Sequence, residues 1–164
     1  MNTRDPVRVL VADDHTIVRE RIVRILRDSE EVEVVGEAGD GAEATRKALE
    51  TRPDVVVMDL SMPRLSGLEA TRRIREALPQ TRILVLTMHD EDEYIVGSVR
   101  AGVSGYLLKD EAPSELLPSI RALKDGKCYF APSTFQALAR ACRARLLDFT
   151  DPRGQSPGGE RDAG

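Results

Sequence analysis

The segment Asp54-Val55-Val56-Val57-Met58-Asp59 decides the fold, because its interior is apolar throughout and an acidic residue stands at each end. A continuous apolar run of this length is typical of a strand that is buried on both faces of a parallel sheet. Pro53 closes the helical segment before it, and Ser66 can cap the helical segment after it. The pattern therefore predicts a central parallel strand between two helices.

Similar strand segments occur on both sides of this one, and helical segments with one apolar face alternate with them. The predicted strands cover residues 7–12, 32–36, 54–58, 82–87 and 105–108. Further helices are expected to begin after the capping residues Asp40 and Asp90 and at Pro113. Five βα units with right-handed crossovers predict an α/β fold with a doubly wound, five-stranded parallel sheet in the flavodoxin-like order 2-1-3-4-5.

A sixth helix is predicted from Pro132 to Leu147. Its predicted apolar stripe is formed by Phe135, Leu138, Ala139, Cys142 and Leu146, and Arg140, Arg143 and Arg145 lie mostly off that stripe. Residues 148–164 contain Pro, Gly, Ser and charged residues without periodicity, which predicts a disordered tail. The chain thus divides into a main domain (5–128), a linker-like helix (129–147) and a tail (148–164).

The composition is typical of a globular protein, with 41% hydrophobic and 32% charged residues. No apolar stretch approaches the roughly 20 residues needed to span a membrane, and the N-terminus lacks an apolar signal core. We therefore expect a cytoplasmic protein without membrane contact.

The net charge of -4 argues against DNA binding by this chain. Cys128 and Cys142 lack a metal-binding spacing and are expected to be buried or half-buried thiols.

Reactive side chains stand at the carboxyl ends of four predicted strands. Asp13 and Asp14 end the first strand, Asp59 the third, Thr87 the fourth and Lys109 the fifth. Ligands of such sheets bind just beyond the carboxyl ends of the strands, near the switch in strand order. We therefore expect three carboxylates, a hydroxyl and an ammonium group to meet at one site.

Three crowded carboxylates repel one another, and a divalent cation that prefers oxygen ligands relieves that repulsion. Magnesium fits best, since it binds one or two carboxylates and keeps water and phosphate oxygens as its other ligands. Asp59 would then be a nucleophile toward a phosphoryl group, with Lys109 neutralising charge and Thr87 donating a hydrogen bond. Each residue alone could be a helix cap, a turn former or an ordinary strand residue, so the hypothesis depends on the whole set.

The same residues resemble a known family. Val9-Leu10-Val11-Ala12-Asp13-Asp14-His15 is similar to the opening of response-regulator receiver domains, and Val57-Met58-Asp59-Leu60-Ser61-Met62-Pro63 with Gly67 resembles their phosphorylation loop. Leu86-Thr87 and Gly105-Tyr106-Leu107-Leu108-Lys109 match the other two signatures. Thr87-Met88-His89-Asp90 and Ala101-Gly102 resemble the NarL/FixJ subfamily, in which a LuxR-type helix-turn-helix usually follows the receiver.

The resemblance implies a two-component response regulator that is not itself an enzyme. Asp59 would accept the phosphoryl group from a sensor histidine kinase. Asp14 and Asp59 would bind Mg²⁺ directly, Asp13 through a water molecule and Ser61 through its backbone carbonyl. Asp110 stands after Lys109, where many receivers have a cis proline, so the peptide geometry there stays open.

The resemblance also implies how the signal leaves the site. Lys109 would pair with the phosphoryl group, and Thr87 and Tyr106 would form a switch pair, with Tyr106 swinging inward from solvent. Phosphorylation would then change the surface formed by the fourth helix, the fifth strand and the fifth helix. That change would control transcription or partner binding, with a homodimer as one expected product.

Rival functions fit these residues less well. An aspartate-nucleophile phosphatase usually has a second Asp two residues after its nucleophile, and this chain has Ser61 there. A nucleotide-binding domain needs a Gly-rich turn after the first strand, which is absent. The residues after Leu147 are too few for a helix-turn-helix. A stand-alone receiver, a truncated product and a fragment cut at the linker all remain open, and no sequence-specific DNA binding by this chain alone is expected.

Overall fold

A computed structural model describes residues 5–149 of the chain and the side chains up to residue 144. Within this range, strands and helices alternate in the order β1 Val7–Ala12, α1 Thr16–Arg27, β2 Val32–Ala38, α2 Gly41–Thr51, β3 Val55–Met58, α3 Gly67–Ala77, β4 Arg82–Thr87, α4 Asp92–Ala101, β5 Gly105–Leu108, a 3₁₀ turn Lys109–Glu111, α5 Ala112–Lys124, β6 Tyr129–Phe130 and α6 Pro132–Phe149. The predicted tail lies almost wholly outside the described residues.

All paired strands are parallel, and the sheet order is β2-β1-β3-β4-β5-β6. This confirms the flavodoxin-like, doubly wound fold, but the count of five strands was wrong. Tyr129 pairs with Gly105, and Phe130 pairs with Tyr106, which adds a sixth strand at the edge of the sheet. A strand of two residues is too short to show the alternation that identifies a strand in a sequence.

The sheet is buried on both faces because alternate residues of each central strand point to opposite sides. In β3, Val56 and Met58 belong to one core cluster, while Val55 and Val57 belong to the other. The first cluster contains residues of α2, α3, α4 and α6, and the second contains residues of α1 and α5. The apolar run that predicted a doubly covered strand therefore packs as expected.

Two of the predicted helix caps are confirmed. The Asp40 carboxylate accepts a hydrogen bond from the backbone N–H of Glu43 at 2.8 Å, and the Ser66 hydroxyl accepts one from Glu69 at 3.2 Å. The predicted cap at Asp90 is wrong, since α4 begins at Asp92 and its N-cap is Glu91. Neighbouring acidic residues compete as caps there, and in this case none caps through its side chain.

The predicted stripe of α6 is wrong at Phe135 and Cys142, although Leu138 packs against the core, and the predicted burial of the thiols is wrong. Among residues 132–144 of α6, Thr134 and Ala137 are buried, whereas Phe135 is exposed. Cys128 and Cys142 are both exposed. The small residue Ala137 lies on the face of α6 that packs against α4, and the large side chain of Phe135 points outward. The side chains of Arg145 and Leu146 fall outside the described part.

Between residues 5 and 149, the structure contains no helix that is both long and apolar enough to cross a bilayer.

Candidate functional site

Three of the expected side chains meet directly at the carboxyl edge of the sheet. Lys109, which follows β5, places its Nζ 2.8 Å from Asp13 Oδ2 and 3.0 Å from Asp59 Oδ2. Asp13 follows β1 and Asp59 follows β3, and both carboxylates are almost fully buried. One ammonium group thus lies between two buried carboxylates that the chain brings together from three strands.

The backbone around these carboxylates holds them side by side. The Asp59 N–H donates to the carbonyl of Ala12, and the Asp13 N–H donates to the carbonyl of Ala38, both at 3.0 Å. These bonds continue the sheet one residue beyond the strands. Asp13 Oδ1 also accepts a hydrogen bond from the His15 N–H at 2.8 Å, which fixes the direction of the carboxylate.

A close backbone approach places the loop after Asp59. A Cβ atom on Gly67 would lie 1.8 Å from the backbone oxygen of Asp59, so only glycine fits there. The Gly67 N–H donates to the Leu60 carbonyl at 3.0 Å, which draws the start of α3 against the end of β3. The loop from Leu60 to Ser66 therefore begins and ends beside the site.

The remaining carboxylate, Asp14, lies at the rim of the same cluster. Ligand atoms of Asp13, Asp14, His15 and Asp59 lie within 4.8 Å of one another. Asp14 Oδ1 is buried and has no hydrogen-bond partner among the described residues, although His15 Nδ1 is 3.1 Å away. Three carboxylates with an unsatisfied buried oxygen form a donor set that fits a hard divalent cation.

The ionisation of the site reflects its burial. Burial raises the pKa of Asp59 above its usual value, the charge of Asp13 adds to this, and Lys109 opposes it without reversing it. Burial lowers the pKa of Lys109, but the contacts with Asp13 and Asp59 outweigh burial, so the pKa is raised overall. Lys109 therefore stays charged, and the site holds more negative than positive charge.

The expected switch pair lies beside Asp59. Thr87 is fully buried at the end of β4, and its Oγ1 accepts a 3.4 Å hydrogen bond from the His89 N–H. A hydrogen bond from Thr87 also lowers the pKa of Asp59, although it is outweighed by burial. Tyr106 is fully buried, and its hydroxyl donates to the His89 carbonyl at 2.7 Å. The tyrosine ring is thus already inside in this structure, which differs from the expected position in solvent.

His89 is a residue to which the sequence analysis gave no role. Its Nε2 lies 2.7 Å from the hydroxyl of Ser61, and its ring stacks on Tyr94 with centroids 4.3 Å apart. Together with its backbone bonds to Thr87 and Tyr106, these contacts connect the loop after β3 to the first turn of α4. The sequence signal is only its position two residues after Thr87, within the Thr87-Met88-His89-Asp90 pattern, because two of its contacts use the backbone.

Two further expectations concern the backbone, one at the Ser61 carbonyl and one at the peptide bond between Lys109 and Asp110. The Ser61 side chain faces His89, and the role of its carbonyl as a metal ligand stays a prediction. After Lys109, the chain forms the 3₁₀ turn, and the described residues contain no cis peptide bond. Asp110 is therefore reached through a trans peptide.

The family model of the response regulator receiver domain matches residues 9–121. This chain belongs to that family. The receiver domain is 45% identical over 131 residues to the uncharacterized transcriptional regulatory protein YxjL of Bacillus subtilis (strain 168), which covers 80% of this chain and 60% of YxjL. The chain spans about 60% of the length of the curated relatives it matches.

Two solved structures show the same architecture. A two-component response regulator of the LuxR family from Aurantimonas sp. SI85-9A1 is 40% identical with a TM-score of 0.79, covering 84% of this receiver domain and 99% of that chain. The isolated receiver domain of RcsB from Salmonella enterica serovar Typhimurium, solved in the presence of phosphomimetic BeF3⁻, is 30% identical with a TM-score of 0.74, covering 80% and 98% of the two chains. The chain is thus a NarL/LuxR-like receiver, and family membership gives the phosphatase alternative no support.

Proposed function

We propose that this receiver domain accepts a phosphoryl group on Asp59 from a sensor histidine kinase and changes conformation in response. The observation that carries the proposal is the position of Lys109, whose Nζ lies 3.0 Å from Asp59 Oδ2 at the carboxyl edge of the sheet. A carboxylate oxygen of Asp59 attacks the phosphorus of a phosphohistidine, a P–O bond forms, and the breaking P–N bond leaves its electron pair on the imidazole. Lys109 and Thr87 would stabilise the phosphoryl oxygens during transfer.

The carboxylates of Asp13, Asp14 and Asp59 and the carbonyl of Ser61 would hold Mg²⁺ in this function. The buried, unpartnered Asp14 Oδ1 supports the proposal, since a divalent cation would satisfy it. When bound, the cation neutralises charge on the phosphoryl oxygens. Asp14→Ala should weaken Mg²⁺ binding about tenfold or more, because even groups that only contact metal ligands contribute that much. A Mg²⁺ titration followed by NMR would measure the change, and unchanged affinity would contradict this metal site.

Phosphorylation of the purified chain tests the central proposal. Acetyl phosphate with Mg²⁺ should add the mass of one phosphoryl group to the wild type and to Asp90→Asn, whose carboxylate is exposed. Asp59→Asn should gain none, and removing Mg²⁺ should abolish uptake by the wild type. Intact-mass spectrometry would record all four results, and equal uptake by Asp59→Asn and wild type would show that the acceptor lies elsewhere.

The proposed output follows from the relatives. YxjL is a transcriptional regulatory protein, and the Aurantimonas neighbour is a LuxR-family regulator. A regulated change in transcription or partner binding, with homodimer formation as one product, is therefore proposed for the protein that contains this receiver. The chain alone, with a net charge of -4, is expected to act in the cytoplasm and not to bind a specific DNA sequence.

A further inference from the structure

Arg19 of α1 is an arginine whose side chain is mostly buried, with 18% of it exposed. Its Nη1 donates a hydrogen bond to the backbone carbonyl of Asp13 at 2.6 Å. Its Nε donates to Glu37 Oε1, at the end of β2, at 3.2 Å. A buried guanidinium is costly unless its donors find partners, so these two contacts fix its position. Arg19 therefore reaches the acidic cluster through the main chain and not through a carboxylate.

The carbonyl that Arg19 holds belongs to the peptide unit that joins Asp13 to Asp14. A peptide unit is planar, so fixing its oxygen fixes the plane and the direction in which Asp14 leaves it. The other side of Asp13 is held by the sheet, since its N–H donates to the Ala38 carbonyl at 3.0 Å. Because both sides are held, the main chain at Asp13 has little freedom to rotate.

The Asp14 carboxylate depends on this main chain more than its neighbours do. Lys109 Nζ lies 2.8 Å from the carboxylate of Asp13 and 3.0 Å from that of Asp59, whereas Asp14 Oδ1 has no hydrogen-bond partner among the described residues. The His15 side chain approaches Asp14 Oδ1 to 3.1 Å, but it is 65% exposed and restrains the carboxylate little. The direction of the Asp14 carboxylate thus follows from the position of its main chain.

Glu37 balances the positive charge that Arg19 brings to this place. A guanidinium beside an acidic cluster would repel a divalent cation if its charge were not paired. Among the described residues, the ion pair of Arg19 is with Glu37 and not with an acid of the cluster. Lys47 Nζ in turn donates to the Glu37 carbonyl at 2.5 Å, which ties this end of β2 to α2. Arg19 can therefore hold the main chain without competing with a cation for the carboxylates.

We propose that Arg19 is a positioning residue for the cation site, because it holds the peptide between Asp13 and Asp14 and so keeps the Asp14 carboxylate directed into the acidic cluster. The proposal rests on the proposed function, in which this cluster binds Mg²⁺. Residues that contact only the ligands of a metal commonly contribute about 10- to 100-fold to metal affinity. Arg19 acts through the main chain between two ligands, so we expect an effect near the lower end of that range.

A Mg²⁺ titration of the whole chain, followed by NMR, tests this role. Arg19→Met keeps the length of the apolar stem but removes every donor, so it should bind Mg²⁺ roughly tenfold more weakly than wild type. Arg21→Met is the matched control, because Arg21 is exposed on the same helix, and it should bind as wild type does. Arg19→Lys should recover part of the lost affinity, since its ammonium group can still donate to a carbonyl.

A double variant separates positioning of Asp14 from a general loss of structure. In the Asp14→Ala background, Arg19→Met should cost little further Mg²⁺ affinity, because the carboxylate that Arg19 positions is already gone. A merely structural role would instead make the two losses add.

The rate of phosphorylation by acetyl phosphate, measured against Mg²⁺ concentration, gives a second separation. In Arg19→Met, the Mg²⁺ concentration for half the maximal rate should rise by the same factor as the dissociation constant, and the rate at saturating Mg²⁺ should stay close to that of wild type. A lower rate at saturating Mg²⁺ with unchanged affinity would show a structural role and overturn the proposal.

Three results of the titrations would also overturn it: equal affinity in Arg19→Met and Arg21→Met, no recovery in Arg19→Lys, or full additivity with Asp14→Ala. Each of them would leave Asp59 as the phosphoryl acceptor. A wild type that takes up no phosphoryl group from acetyl phosphate would instead contradict the proposed function.

Discussion

Asp59 is a buried carboxyl group, and burial disfavours its ionised form. Burial is the largest cause of its raised pKa, so the folded state binds its proton more tightly than the unfolded state does. A raised pKa stabilises the folded state fully at pH values below 3.8, the pKa of this carboxyl group in the unfolded chain. The stabilisation is lost as the pH rises through the pKa of Asp59 in the folded chain. At neutral pH, the ionised Asp59 therefore reduces the free energy of unfolding.

Asp59→Asn should accordingly be more stable than wild type at neutral pH, since the amide carries no charge to bury. The difference should shrink as the pH falls toward 3.8, where Asp59 itself is protonated. Urea unfolding at several pH values would measure it. A difference that stays constant with pH would mean that packing or the loss of a Lys109 contact, rather than ionisation, causes the effect.

At the scale of elements, the junction of β3 and α3 depends on Gly67, which has no Cβ atom. Gly67→Ala should lower the free energy of unfolding by about 1–3 kcal/mol, because the new atom would overlap the Asp59 carbonyl and push α3 away. The matched control is Gly97→Ala in α4, where a Cβ would meet only Leu68 at 3.9 Å. That change should be neutral or stabilising by up to about 1 kcal/mol, since alanine favours a helix.

Urea unfolding of both variants would give the comparison. Equal destabilisation by the two substitutions would refute a specific requirement at the junction. Gly67→Ala should also reduce phosphate uptake, because the loop after Asp59 ends where the displaced helix begins.

The elements that the sequence predicts well are those whose signal is local. The apolar run of β3 and the side-chain caps Asp40 and Ser66 depend on residues within one turn or one strand, and all three are confirmed. β6 and the inner face of α6 depend on distant neighbours. Tyr129–Phe130 becomes a strand only because β5 offers a free edge, and Ala137 is inside only because α4 lies close.

The sequence likewise predicts one part of the candidate site and not the other. Asp13, Asp59 and Lys109 could be placed together from the sequence, because the carboxyl ends of parallel strands share one edge. The part played by His89 could not, since Tyr106 and Thr87 reach it through its backbone atoms, which every residue has. Side-chain identity therefore predicts the acceptor cluster, and only the structure shows the contacts that lead away from it.

At the scale of the whole molecule, Thr87 is one side chain through which the acceptor site can affect α4. Thr87→Ala should still bind beryllofluoride, because Asp59 and Lys109 remain, but the response of α4 should fall strongly. NMR shifts of Tyr94 and Tyr106 with and without beryllofluoride would measure this response. Thr45→Ala, which removes a hydroxyl bonded only within α2, should respond as wild type does.

A full response at Tyr94 and Tyr106 in Thr87→Ala would rule out this route. Tyr106 is already buried and bonded to the His89 carbonyl, so we expect a change in that bond rather than entry of the ring from solvent. Burial also raises the pKa of Tyr106, so the hydroxyl remains a donor at any physiological pH.

The strand order affects how the molecule can assemble during its own synthesis. β3 pairs with β1, and each of β4, β5 and β6 then pairs with the strand made just before it. The sheet can therefore grow at one edge as the ribosome delivers the chain, with no later strand needing to insert between earlier ones. Lys109 stands at the end of β5, so the described side chains that contact Asp59 all precede α6 in the chain. The acidic pocket is therefore built without any residue of α6, and the helix that packs on α4 belongs to the last-made part of the described fold.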